Sequence, residues 1–226
     1  MKECYFTSES IDAQARALLD AVQPVCGHRE IEFTPRRSAL LVIDMQRFFL
    51  DEDSHAFIPS APAIVPKIQM LLKAFESAGL PVILTRHGGA ERDAGMMAKW
   101  WKGRLPGEGP LGELLPELVQ NAANAVVVEK TQYDAFHETP LEDILREKKI
   151  EQVVVTGVMA HLCCETTARS AFVRGFQPFF TVDATATYNR QFHSATLLNL
   201  AHGFAVPVLA GSIVNSVVGN IAGAIE

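Results

Sequence analysis

The sequence predicts a doubly wound α/β fold built on six mostly parallel strands, and three observations carry that prediction. Six short apolar runs recur along the chain without in/out alternation, helix-period stretches lie between them, and several of those stretches stop at a glycine. Apolar runs of this length that lack alternation suit strands buried on both faces, as in a parallel sheet. Strands that alternate with helices give a three-layer α/β/α arrangement with right-handed crossovers.

The elements follow in order. Residues 8–22 read as an amphipathic helix ahead of the first strand, so residues 1–37 are expected to be a helical extension of one domain spanning 1–226. The run ALLVID at 39–44 is the first strand and closes on a carboxylate. Residues 61–78 place Ile64, Ile68, Leu71, Leu72 and Phe75 on one helical face, and Gly79 ends the helix. The second strand is LPVILT at 80–85. Residues 93–112 hold two tryptophans with Pro106 and Pro110 and read as a loop or broken helix. The third strand is AVVVEK at 125–130, followed by a helix at 140–149 with Thr139 as its cap and proline at the first helical position. QVVVTG at 152–157 is the fourth strand, followed by a helix at 161–174 that ends at Gly175. PFFTVD at 178–183 is the fifth strand, its helix at 189–202 ends at Gly203, and FAVPVL at 204–209 is the sixth.

Composition narrows the function. Hydrophobic residues make up 48% and charged residues 20% of the 226, an ordinary globular balance. A formal net charge of −6 with no Lys/Arg cluster argues against a nucleic-acid partner. The apolar runs are too short to cross a bilayer, and the opening MKECYFTSES lacks the pattern of a secretory signal. Four cysteines, two of them adjacent, do not form a disulfide framework, so a reducing, cytoplasmic location is expected.

In a doubly wound sheet, ligands bind beyond the carboxyl ends of the strands, where the strand order reverses. Asp44 closes the first strand, Lys130 closes the third, and Cys163 follows the fourth by six residues. Each alone has a plain structural reading: a helix cap, a lysine snorkelling off a strand end, a small buried hydrophobe. Together they suggest chemistry. If the strand order is 3-2-1-4-5-6, Asp44 and Cys163 stand side by side, and a lysine about 10 Å away is long enough to reach toward Asp44. A cysteine at a helix start near an ammonium has its thiolate favoured and can act as a nucleophile. Asp44 could take the thiol proton and pass it to a leaving group. Backbone N–H groups after Gly157 could receive an oxyanion.

The stretches LLVIDMQRFFL, VVEKTQYDAF and VVVTGVMAHLCCETTARSAFVRGFQPFFTVDATATYNRQFH resemble the isochorismatase-like cysteine hydrolase family, in order over most of the chain. The resemblance implies a six-stranded sheet ordered 3-2-1-4-5-6, a homo-oligomer, a small-molecule substrate and an Asp–Lys–Cys triad at Asp44, Lys130 and Cys163. It also implies a non-proline cis peptide at Val158–Met159, which turns the Met159 and Cys163 amides toward the substrate oxygen. The family holds two chemistries. Isochorismatases cleave a vinyl ether with the aspartate as acid. Nicotinamidase-like amidohydrolases form a thioester on the cysteine. Here Ala160-His161 and KTQYDAF lean toward the first, whereas Cys163 and the non-aromatic Met159 lean toward the second. The metal pair of the nicotinamidase branch is missing after Thr85-Arg86, where the chain reads His87-Gly88-Gly89.

Substrate contacts are expected from Phe48, His87, Trp101, Tyr133, Met159 and His161, with Phe49 and Trp100 adding to an apolar wall. His87 ends the second strand region and could bind a carboxylate or carbonyl. Asp53-Ser54-His55 has the look of a metal-ligand pair, but no motif supplies a third ligand, so neither metal nor other cofactor is expected. Cys164 is read as packing. The reaction expected is hydrolysis of a carboxamide or related acyl bond through Cys163, with vinyl ether cleavage by Asp44 as the alternative and a silent binding module as a third possibility.

Overall fold

The structure is a computed structural model and describes residues 1–26, 31–88, 95–102 and 109–222. Six parallel strands form one sheet in the order β3-β2-β1-β4-β5-β6. They are β1 (Ser38–Ile43), β2 (Val82–His87), β3 (Val126–Lys130), β4 (Gln152–Val158), β5 (Gln177–Ala186) and β6 (Val206–Val208). The order reverses between β1 and β4, which pair from Ser38↔Gln152 to Ile43↔Gly157. Every residue of β1 is buried, as a central strand covered on both faces requires.

Helices α1 (Ile11–Cys26), α2 (Arg47–Leu50), α3 (Ala61–Ser77), α4 (Met96–Trp101) and α5 (Pro116–Val119) precede β3, and α6 (Leu141–Glu147) follows it. The C-terminal half adds α7 (Glu165–Val173), α8 (Arg190–Gly203) and α9 (Ala210–Ala222). Helix α3 packs on β1, β4 and β5 and against α9, whereas α7 covers β5 and meets α8. The face of α3 predicted from spacing is the buried one: Ile64, Ile68, Leu71, Leu72 and Phe75 are fully enclosed. Each such side chain contributes about 1.5–3 kcal/mol by leaving water. Gly79 ends the segment at φ +64, a conformation that costs glycine little. Asn189 caps α8 by accepting from the Phe192 N–H at 2.8 Å.

Several boundaries differ from the sequence expectation. Strand β5 continues three residues past Asp183, because a register shift after Val155 lets Thr185 and Ala186 pair with Gly157 and Val158. The first helix runs four residues beyond Val22 and tolerates Pro24 in its last turn. Helix α9, unexpected from a segment with Gly211 and Gly219, buries Ile213 and Val217. Of the 93–112 segment, Met96–Trp101 is helical, while Asp93 and Pro106 lie outside the described residues. No described helix is long and apolar enough to cross a membrane.

Candidate active site

The site forms where β1 and β4 diverge. Gly157 in β4 sits at φ +105 against Ile43, and a Cβ there would lie 2.1 Å from the Ile43 carbonyl oxygen. This close approach draws the ends of the two strands together. Asp44, the next residue after β1, has φ +49, a left-handed conformation uncommon for a non-glycine residue. The side chain of Thr85 holds it there. Thr85 Oγ1 donates to Asp44 Oδ1 at 2.6 Å and accepts from the Asp44 N–H at 3.1 Å.

Lys130 ends β3 opposite His87 of β2, and its side chain is fully buried. Its ammonium lies 2.7 Å from Asp44 Oδ2, donates to Gln132 O at 2.9 Å, and stands 3.5 Å from Cys163 Sγ. It is also 3.2 Å from His87 Nδ1. An ammonium only donates, so His87 Nδ1 must accept and the ring proton belongs on Nε2. Burial, then the Lys130 charge, pulls His87 down to about 4 against the opposing effect of Asp44, which keeps the ring neutral at pH 7. Burial by itself would lower Lys130, but the ion pair with Asp44 opposes it and the ammonium is held above its ordinary value. Apart from the lysine contact, no described group donates a hydrogen bond to Asp44 Oδ2.

Cys163 sits in a π-helical turn, Ala160–Cys164, that leads into α7. The thiol differs from the sequence expectation of a favoured thiolate. Burial pushes Cys163 well up, Lys130 offsets only part of this, and Asp44 adds to the rise. The physical reason is that the site excludes water, so one ammonium already paired with a carboxylate cannot carry a free thiolate as well. The resting group is therefore a thiol with an adjacent carboxylate. The Val158–Met159 peptide is cis, as the resemblance implied. Cys164 is buried with its Sγ 3.9 Å from Thr156 O, in line with a packing role.

In front of Cys163 lies a pocket of about 240 Å³. Of the residues read from the sequence as substrate contacts, Phe48, His87, Trp101, Tyr133 and Met159 line it, with Phe49 beside them. Trp101 Nε1 donates to Tyr133 OH at 2.7 Å, joining two of the walls. Trp100, by contrast, is 74% exposed and is not one of the lining residues, because neighbouring helical residues point in different directions. His161 is likewise not one of the lining residues. Its Nδ1 meets Thr187 Oγ1 at 2.5 Å and its ring stacks on Phe192 at 4.4 Å. Met97, Leu162, His55, Ala56 and Tyr188 complete the lining and were not singled out from the sequence. Tyr188 could have been suspected, since it lies just past the carboxyl end of the fifth strand, where ligands bind in such sheets. Gln46, two residues past Asp44, was also missed. It accepts from the His87 N–H at 2.9 Å and donates to His87 O at 2.8 Å and Gly112 O at 2.9 Å, fixing the end of β2.

Ligating atoms of Asp44, His87 and Cys163 lie within 4.8 Å of one another, close enough in principle to hold a metal ion. The Lys130 ammonium, however, is 2.7, 3.2 and 3.5 Å from the same three groups. A cation already stands among these donors, so the set does not suit a metal. Asp53 of the other suggested pair is exposed.

Residues 38–211 match the family model described as the isochorismatase domain. The chain is 39% identical to nicotinamidase 3 of Arabidopsis thaliana over 186 residues, covering 81% of this chain and 90% of that protein. It is 32% identical to enterobactin synthase component B of Escherichia coli K12 over 171 residues, covering 75% of this chain but only 59% of that protein. A crystal structure of a cysteine hydrolase from Pseudomonas syringae superposes with a TM-score of 0.80 at 25% identity, covering 84% of this chain and 96% of the other.

Proposed function

The chain belongs to the isochorismatase family of small-molecule hydrolases, and we propose that it hydrolyses a small carboxamide through a thioester on Cys163. The observation that carries this reading is the convergence of three buried groups behind one apolar pocket. The Lys130 ammonium touches both the Asp44 carboxylate at 2.7 Å and the Cys163 sulfur at 3.5 Å.

The reaction follows from these contacts. Asp44 takes the thiol proton as the sulfur attacks the amide carbonyl, so the thiolate is generated only when an electrophile is present. Lys130 balances the negative charge that passes between carboxylate and sulfur. The Met159 and Cys163 N–H groups receive the developing oxyanion. Asp44 then protonates the departing nitrogen, ammonia leaves, and the acyl group remains on sulfur. A water deprotonated by Asp44 attacks the thioester, giving the acid, and the proton returns to Cys163. The pocket volume of about 240 Å³ and its aromatic walls favour a flat, ring-sized acyl group. The His87 Nε2–H offers that group one hydrogen-bond donor.

Cys163→Ala tests the reading. It removes the sulfur and leaves Asp44 and Lys130 in place, so turnover of a carboxamide should fall by roughly three orders of magnitude or more. A second reading, vinyl ether cleavage with Asp44 as acid and water as nucleophile, draws on Asp44 Oδ2, which is buried and has no hydrogen-bond donor among the described residues beyond the Lys130 contact. In that case Cys163→Ala would keep most of its rate on the true substrate.

A further inference from the structure

Residues 1–7 precede the matched family region, 38–211, yet they run between the two loops that close the pocket. On one side, Lys2 Nζ donates to His55 O at 2.6 Å. The N–H groups of Tyr5 and Phe6 donate to Ser60 Oγ at 2.9 and 3.1 Å. On the other side, the Glu3 N–H donates to Tyr188 O at 2.7 Å, and Glu3 Oε2 accepts from the Arg190 N–H at 3.1 Å at the start of α8. The buried Tyr5 hydroxyl accepts from the Thr187 N–H at 3.0 Å and pairs with His193 Nδ1 at 3.0 Å. One side chain spans both loops, for the Lys2 ammonium that bonds His55 also lies 4.9 Å over the ring of Tyr188. His55 and Tyr188 both line the pocket.

We propose that the N-terminal segment is a positioning strap for substrate binding. Lys2 and Tyr5 hold the His55 and Tyr188 walls in their substrate-ready places without touching the reacting atoms. The proposal rests on the reading that the pocket before Cys163 receives the substrate. Its physical basis is population. Two loops tied to one strap are ordered before substrate arrives, whereas untied loops must be ordered by the substrate itself. Apparent affinity then falls by the fraction of molecules already in the competent arrangement. The chemical step is unaffected once substrate is bound. The strap should therefore act on KM and leave kcat alone.

The test uses the full chain and the variants Lys2→Met, Lys2→Arg and Tyr5→Phe. Lys2 is exposed, so its replacement should leave the fold intact, and arginine keeps both the donor and the charge over the ring. Lys2→Met and Tyr5→Phe should raise KM about five- to tenfold with kcat within about twofold, and Lys2→Arg should restore KM. Alkylation of Cys163 by iodoacetamide gives a second readout that needs no turnover. It should quicken about threefold or more in Lys2→Met and return toward the parent rate in Lys2→Arg, as a looser mouth admits the reagent more often. If no carboxamide is turned over by the parent chain, the proposed reaction fails while the alkylation rates still judge the strap. Unchanged KM, or in that case unchanged or slower alkylation, in folded Lys2→Met and Tyr5→Phe would overturn the proposal. So would a fall in kcat and melting temperature at constant KM, which would make the segment a stability element only.

Discussion

Replacing Thr85 by valine removes one hydroxyl and keeps the shape, which isolates what holds Asp44 in place. That hydroxyl donates to Asp44 Oδ1 at 2.6 Å and accepts from the Asp44 N–H at 3.1 Å, and both residues are fully buried. A hydrogen bond to a charged group contributes about 1.5–3 kcal/mol, and a buried N–H left without a partner costs about 1–3 kcal/mol. The two losses together predict a destabilisation of about 2.5–6 kcal/mol, a large share of the 5–15 kcal/mol typical of a folded domain. Urea unfolding should show a lower midpoint with an unchanged slope. Thr85→Ser should recover most of the loss, since the hydroxyl returns. Catalysis should fall as well, because Asp44 would no longer be held toward the sulfur. A loss below about 1 kcal/mol in Thr85→Val would show instead that the left-handed Asp44 is fixed by its backbone alone.

Two further outcomes follow from the same geometry. Gly157→Ala puts a methyl group 2.1 Å from the Ile43 carbonyl oxygen at φ +105; it should destabilise by about 2–4 kcal/mol and depress kcat by shifting Asp44, read by thermal melting and steady-state rates. Stability should also fall on acidification. His87 and His161 are lowered to about 4 and His193 to about 3, in each case chiefly by burial. From pH 6.5 down to about 4 for His87 and His161, and to about 3 for His193, the unfolded chain binds protons that the folded chain does not, so stability is full above pH 6.5 and is lost as pH falls through that window. His193→Gln, which keeps polar atoms near Tyr5 and Thr185, should flatten that pH dependence in urea titrations; an unaltered slope would remove His193 from the account.

The strand ends were the most legible part of the sequence. Apolar runs with no alternation identified all six strands, and the residue types at their ends, a carboxylate, a lysine and a cysteine, pointed to groups that meet within 4.8 Å or less in space. Pairwise sums defeated other expectations. The state of Cys163 depends on how far it lies from water and on whose partner Lys130 already is, and neither can be read from spacing. His161 and Trp100 were expected at the pocket, yet neither is among its lining residues, since helical geometry sends adjacent side chains in different directions. The strap could not be foreseen, because Lys2 and Tyr5 meet loops 53 and 182 residues away in sequence. Helix α9 was hidden by its glycines, and tertiary burial of Ile213 and Val217 overrode their weak propensity.

Intact-protein mass spectrometry after rapid acid quench can catch the Cys163 thioester itself. The parent chain, mixed with a panel of ring-sized carboxamides, should gain the mass of one acyl group less one hydrogen. Peptide mapping should place that mass on Cys163, and hydroxylamine should remove it as it does a thioester. Cys163→Ala should show neither the adduct nor turnover. Turnover of a carboxamide at near-normal rate by Cys163→Ala, with no adduct on the parent chain at any quench time, would contradict the thioester and leave Asp44 to act without a covalent partner.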